Sequence, residues 1–358
     1  SVGMINLSHF PIMDIEGQDA ERMLEYLSVA KVGDNTPEGR VIYTNFLDED
    51  GGVHGDLTIS RLGTDRYRIV TGGADGNRDW VTLRNYRDDM GLDANINIRT
   101  HDIATLGLWG PQAMNALSHF VDPSEVSIEN FPFATAKYLT LNLSGGKKID
   151  VWAARISYVG ESGWEIYLNN DSEEGLALYD SLLEVGVVPV GIETYANSRR
   201  LEKSFRLQGA DLETNYNACE SAIERRLVKK ADFHGKAAHL SHREEEPCAI
   251  LCTMTLDDLN VSGKGSRYPV GISPIIDPAT GEVPVDSKGR RSYSTGMSYC
   301  PSIKKHVVMG YLPKNIAIPG KSLLLSYFNE NGDGIYPMTV QIVGKGSIFD
   351  PNNERVRA

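Results

Sequence analysis

Two carboxylates stand inside runs that otherwise read as β-strand. Glu165 interrupts "RISYVGESGWEIYL" (155–168) between Trp164 and Ile166, although strand interiors are depleted in Glu and carboxylates are seldom buried without a partner. Asp56 opens the alternating run "DLTIS" after a Gly-Gly turn in "YTNFLDEDGGVHGDLTIS" (43–60). A carboxylate fixed on a strand can accept two adjacent N–H donors of a flat heteroaromatic ring in bidentate fashion. An acid at the start of a strand is placed to point into a cleft.

The spacing supplies neighbours for each acid. If Val159 pairs with Trp164 around the turn 160–163, Tyr158 lies directly opposite Glu165, with Cβ atoms about 4.5–5.5 Å apart. Tyr167 follows on the same face. A solvent-facing strand, with Trp164, Ile166 and Leu168 turned to the core, satisfies the same pattern. Asp56 and Thr58 share one face and Leu57 and Ile59 the other, while a turn-capping role suits Asp56 equally. In "NSRRLEKSFRLQGADLE" (197–213), Arg200, Lys203 and Arg206 fall at i, i+3 and i+6 of an expected helix, with Glu202 close by. "ERRLVKKADFHGK" adds Arg225, Arg226, Lys229 and Lys230. In a chain of net charge −12 this density suits an anionic tail; a solvated, salt-bridged helix accounts for it as well.

The elements that must position these residues are legible from periodicity. Helices are expected at "DAERMLEYLSVA", "DWVTLRNYRDDMG", "GPQAMNALSHFV", "SEEGLALYDSLLEVG" and "IETYANSRRLEKSF", and strands at "RVIYTNFLDE", "ATLGLWG", "KYLTLNLSG" and "IDVWAARISYVG". "GGVHGDLTISRLGTDRYRIVTGG" reads as a hairpin turning at "LGTDRY". Helices mixed with antiparallel hairpins indicate α+β. Beyond about residue 246, short strands between Gly, Pro and Asp turns indicate a β-barrel or sandwich. Residues 262–293, rich in Gly, Pro and Ser, read as a long loop with an embedded hairpin.

Other classes are excluded or disfavoured. The 358 residues, 41% apolar and 23% charged, are ordinary globular composition. No stretch approaches the roughly 18 apolar residues of a membrane span, and the negative balance argues against nucleic acid. Four cysteines without a C-x-x-C pair suggest neither a disulfide scaffold nor a zinc site, so a cytoplasmic compartment (the mitochondrial matrix in a eukaryote) is expected. No G-x-G-x-x-G, Walker or G-x-S-x-G motif occurs. "HLSHREEE", with His239 and His242, reads as a solvated helix end rather than a metal site.

Taken together and in order, "VGMINLSHF", "YTNFLDEDGGVHGDLTIS", "LGLWGPQAM", "RISYVGESGWEIYL", "TYANSRRLEKSFRLQGADLE", "ADFHGK" and "SIFDPNNERVRA" resemble the folate-binding aminomethyltransferase family (glycine-cleavage T-protein-like). Within it the likeness is to the C-terminal tetrahydrofolate domain of dimethylglycine and sarcosine dehydrogenases and oxidases. The resemblance implies an α+β three-domain cloverleaf: two α+β domains with antiparallel sheets, here 1–47 plus 141–245 and 48–140, and a β-rich domain, 246–358. It implies tetrahydrofolate as cofactor, Asp56 as the essential acid, and Glu165 on the pterin edge with Tyr158 and Thr58 beside it. Tyr43 would stand in the wall, Arg200 near the anionic side, and Glu202 next to it.

The activity so implied is one-carbon transfer in demethylation of a methylated amine. 5,10-Methylenetetrahydrofolate would form from an iminium or formaldehyde supplied by a flavin dehydrogenase domain or subunit. The same resemblance admits a glycine-cleavage aminomethyltransferase, a demethylase using a sulfonium or aryl ether donor, or a non-catalytic folate module. One departure falls at 217–226: "NACESAIERR" replaces the family's "EAGL" stretch and puts the donor pocket in question.

Overall fold

The computed structural model describes residues 1–33, 36–256, 271–329 and 332–358. Three sheets carry the fold. The first has six strands in the order Val188–Pro189, Gly3–Asn6, Ile103–Trp109, Gly163–Asn169, Lys148–Arg155, Thr135–Asn142. The second has five: Val41–Leu47, Val53–Gly63, Arg66–Thr71, Ile12–Glu16, Asn95–Ile98. The third again has six: Ile275–Ile276, Ser322–Asn329, Gly332–Val343, Ala249–Leu256, Lys305–Pro313, Ser294–Cys300. Pairing is antiparallel except where Val188–Pro189 joins Gly3–Asn6.

Each of the first two sheets buries one face under helices. Trp164, Ile166 and Leu168 enter a core with Leu178 and Leu182 of helix Ser172–Glu184. Leu57, Ile59 and Ile69 meet Met23 and Leu24 of helix Ala20–Leu27 and Leu83 of helix Gly76–Asp89. Because strand side chains alternate, a one-residue slip would turn each of these sets away from its helices to the opposite face. Three fully buried large side chains, roughly 1.5–3 kcal/mol each, therefore fix which face Glu165 takes. That face, with Asp56 and Thr58 on the second sheet, looks across to the other sheet. Ile12, Val41, Leu62 and Val70 there pack on Ile103, Trp152, Ala154 and Tyr167.

The sheet boundaries do not follow the expected domain division. Val41–Leu47 pairs along its length with Val53–Gly63, so a seam at 47/48 falls inside one hairpin. Residues 12–98 supply the second sheet, whereas 3–6 and 103–189 supply the first. The third sheet takes all its strands from 249–343, as the β-rich reading of that stretch expects.

Two further expectations are corrected. The helix expected over "IETYANSRRLEKSF" forms from 192 to 202, but it widens into a π-turn at Thr194–Arg199 and closes with one α-turn, Arg200–Glu202. It stops because Ser204 takes φ +53°, so Arg200, Lys203 and Arg206 share no helical face. The "HLSHREEE" helix, Lys236–Glu244, buries His239 rather than solvating it. Of the long loop, 262–270 lies outside the described residues. Its described remainder is tied down by Arg290, which bonds Glu220 at 2.5 and 3.1 Å and Asp286 at 2.6 Å.

Candidate active site

A cavity of about 720 Å³ opens where the first two sheets face each other, and Tyr43, Asp56, Thr58, Tyr158 and Glu165 all line it. Five of the seven side chains to which the resemblance gives a role are thus brought together. Further walls come from Phe10, Phe133, Tyr195 and Phe205, and from the C-terminal Asn353, Val356 and Arg357.

Glu165 is 5% exposed. Its strand begins at Gly163, where a Cβ would lie 1.9 Å from the Leu108 carbonyl, so only glycine permits the approach that seats Trp164 and Glu165. Tyr167, two residues on, donates a hydrogen bond to Glu165 Oε2. No other hydrogen bond or ion pair reaches this carboxylate from a described residue. Burial lifts its pKa from 4.5 to about 7 against the lowering effect of Tyr167.

The expected register is not the observed one. Glu165 pairs with Ala154, not Tyr158, because strand Lys148–Arg155 ends before Tyr158 and the connection at 156–162 is a wide loop. Tyr158 reaches the cavity through that loop. It donates to the Arg206 carbonyl at 2.6 Å and stacks on Phe205 with centroids 5.9 Å apart.

Asp56 and Asn45 oppose one another in register, and Asn45 Nδ2 donates to Asp56 Oδ1 at 2.8 Å. Burial is the main cause that raises Asp56 to about 7; Tyr43 and Asn45 lower it, and the negative charges of Asp75 and Asp79 raise it further. Tyr43 opposes Thr58 on the neighbouring strand. The residue is half-exposed overall, but desolvation of its phenol within the cleft, with Asp56 beside it, pushes that group above the ordinary value. Two carboxylates poised near neutrality in one cleft form an arrangement that proton transfer uses.

Arg200 and Glu202 are not brought to the cavity. Arg200, 1% exposed, pairs with buried Asp211 and donates to the carbonyls of Ala196 and Phe205. Glu202 pairs with Arg199 and accepts from the Ser302 amide at 2.8 Å. Arg200 thereby braces the segment that follows it, and Glu202 ties the helix end to the 302 region. The cations at the cavity are Arg206, Lys345 and Arg357. Arg206 spends its donors on the carbonyls of Ser204, Ser221 and Gly344, and no carboxylate of a described residue lies within ion-pair distance, Asp211 and Glu224 acting on it only from further off. Lys345 is paired with Glu224. Only Arg206 among the three was singled out from the sequence; Arg357 lies in the "SIFDPNNERVRA" stretch without a role assigned to it, and Lys345 carries no local motif. The atypical 217–226 segment does reach the cavity, through Ala222 and Ile223, with Ala222 at φ +54°.

The fold and this pairing of acids define a class. The chain aligns over 95% of its length with the aminomethyltransferase T of the glycine cleavage system from Bartonella henselae, at TM-score 0.75 and 21% identity, covering 85% of that structure. At that identity the likeness establishes the α+β fold of three antiparallel-sheet units. Residues 1–231 match the family model for the GCVT N-terminal domain, and the chain belongs to that family. It is a family of enzymes that bind tetrahydrofolate and transfer a one-carbon unit with it. Among its relatives, mitochondrial dimethylglycine dehydrogenase of Rattus norvegicus is 29% identical over 353 residues, 95% of this chain. The chain spans only 37% of that relative's length. The aminomethyltransferase of Halothermothrix orenii is 27% identical over 328 residues, 90% of this chain and 83% of the relative. Among the described residues no helix is long and apolar enough to cross a membrane.

Proposed function

We propose that the cavity binds tetrahydrofolate and that the chain forms 5,10-methylenetetrahydrofolate during demethylation of a methylated amine of the dimethylglycine or sarcosine kind. The one-carbon unit would come as an iminium or as formaldehyde from a flavin dehydrogenase, either fused or as a separate subunit. The observation that carries the folate reading is Glu165, a buried carboxylate with no cation beside it, one oxygen held by Tyr167 and the other open to the cavity. Such a group fits the N–H edge of a pterin, whose donors replace the missing cation. Arg206, Lys345 and Arg357 fit the carboxylates that a folate carries.

Tetrahydrofolate supplies two nucleophilic nitrogens that accept carbon at the oxidation level of formaldehyde. The chain's own residues do the rest. Glu165 accepts from the ring edge, and Tyr167 keeps it from turning. Tyr158, Phe205 and the half-exposed Tyr43 supply aromatic wall that holds the reactants together. Asp56, fixed by Asn45 and poised near pH 7, holds or releases a proton at its Oδ atoms and stabilises positive charge nearby. Thr58 lines the same wall, and Arg200 holds the following segment through the Phe205 carbonyl and through Asp211, which accepts from the Leu207 amide.

The likeness to dimethylglycine dehydrogenase over nearly the whole chain favours the methylated-amine donor. The likeness to the aminomethyltransferase favours equally a glycine-cleavage reading, with the carbon brought by an aminomethyl carrier protein. Asp56→Asn, assayed by methylenetetrahydrofolate formation from tetrahydrofolate and formaldehyde, should keep folate affinity and slow transfer by about 10²-fold or more. Unchanged turnover removes Asp56 from its role. Running the wild type with dimethylglycine plus a flavin dehydrogenase, and separately with an aminomethyl carrier, decides the donor.

A further inference from the structure

Tyr195 stands in the π-helical turn Thr194–Arg199, the kind of local widening that concentrates at functional sites. Its ring is held on three sides: by Phe10 at 5.7 Å between centroids, Trp109 at 5.5 Å and Tyr158 at 5.0 Å. Two of those neighbours are themselves anchored, Trp109 by its Nε1 on the Ile156 carbonyl at 2.8 Å and Tyr158 by its hydroxyl on the Arg206 carbonyl. The side chain is 6% exposed and lines the cavity. Its hydroxyl makes no hydrogen bond to any described residue. The hydroxyl is not sealed off, so it is open to the cavity, where a ligand acceptor can bond it. Burial, with Glu165, Tyr158 and Asp56 nearby, keeps the phenol neutral far above ordinary pH. It is therefore a permanent O–H donor close to a carboxylate acceptor.

We propose that Tyr195 is a ligand-binding residue whose hydroxyl donates to the ring carbonyl of the bound pterin, next to the N–H edge that Glu165 accepts. The inference rests on the folate reading above and deepens it: Glu165 and Tyr195 form an acceptor–donor pair that reads the donor–acceptor order of a 4-oxopteridine. The aromatic surround fixes the ring, and the hydroxyl supplies selectivity.

The test is calorimetry with two probes, tetrahydrofolate and the corresponding reduced 2,4-diaminopteridine, in which an amino donor replaces the ring carbonyl. Wild type should prefer tetrahydrofolate. Tyr195→Phe, which keeps every ring contact, should bind tetrahydrofolate about three- to tenfold more weakly and the diamino analogue within twofold of wild type. A variant that holds tetrahydrofolate at wild-type affinity, or loses both probes equally, overturns the proposal. Wild type that binds both probes equally overturns it without any variant, so a misfolded Tyr195→Phe does not shelter the idea. Wild type that binds neither probe overturns the folate reading itself, and this inference with it.

Discussion

Replacing Glu165 by Gln should stabilise the ligand-free protein at pH 8. In the folded chain the carboxyl titrates near 7, against an ordinary glutamate value of 4.5. Between those values the folded state holds a proton that the unfolded state has released. The sign follows from linkage: a raised carboxylate leaves stability intact at low pH and loses it as pH climbs from about 4.5 through 7. The gap, 7 minus 4.5, is about 2.5 pH units at about 1.4 kcal/mol each, or about 3.5 kcal/mol as an upper bound. Gln is neutral at every pH, matches the volume, and still accepts from Tyr167. Urea unfolding at pH 5, 6, 7 and 8 should show wild type and variant together at pH 5 and separating by up to about 3.5 kcal/mol at pH 8. Parallel curves, or a variant less stable at pH 8, would refute the claim that this carboxylate is buried without compensation. The cost is reasonable only where a ligand later relieves it.

Two other substitutions probe residues that we place outside the chemistry. His239 is fully buried against Phe233, with neither ring nitrogen bonded, and burial with nearby Arg243 and His242 lowers its pKa to about 4. Its contribution is present above the ordinary histidine value of 6.5 and is lost as pH falls from there toward 4. His239→Leu should flatten that acid limb in unfolding measured between pH 4 and 7, and an unchanged limb would contradict the assignment. Arg200→Met strands the buried Asp211 carboxylate and should cost about 3–5 kcal/mol of unfolding free energy. Wild-type stability in that variant would return Arg200 to the list of ligand contacts.

What the sequence disclosed, and what it hid, follows from the range of the forces involved. Alternation along a strand is local, so the faces of Asp56 with Thr58 and of Glu165 with Tyr167 were legible, as was the hairpin at "LGTDRY". Loop conformation is not local: Tyr158 enters the site from a wide connection that period-2 pairing cannot describe. Burial is not local either. Arg200 is of the right type for an anionic ligand, but Asp211, eleven positions on, claims it. The cations that do reach the cavity come from a loop after a π-turn and from the C-terminal segment, which only tertiary packing joins. Tyr195 stands in the "TYANSRRLEK" stretch but is not singled out there, since its position depends on an extra residue in one helical turn.

The account stands most directly on one titration: tetrahydrofolate into wild type and into Glu165→Ala, followed by calorimetry near pH 7.5. Saturable binding to wild type, weakened by about 1–3 kcal/mol in the variant as the ring donors lose their acceptor, is the predicted result. No detectable binding to wild type, or equal affinity in both proteins, would contradict the identification of this cavity as the folate site.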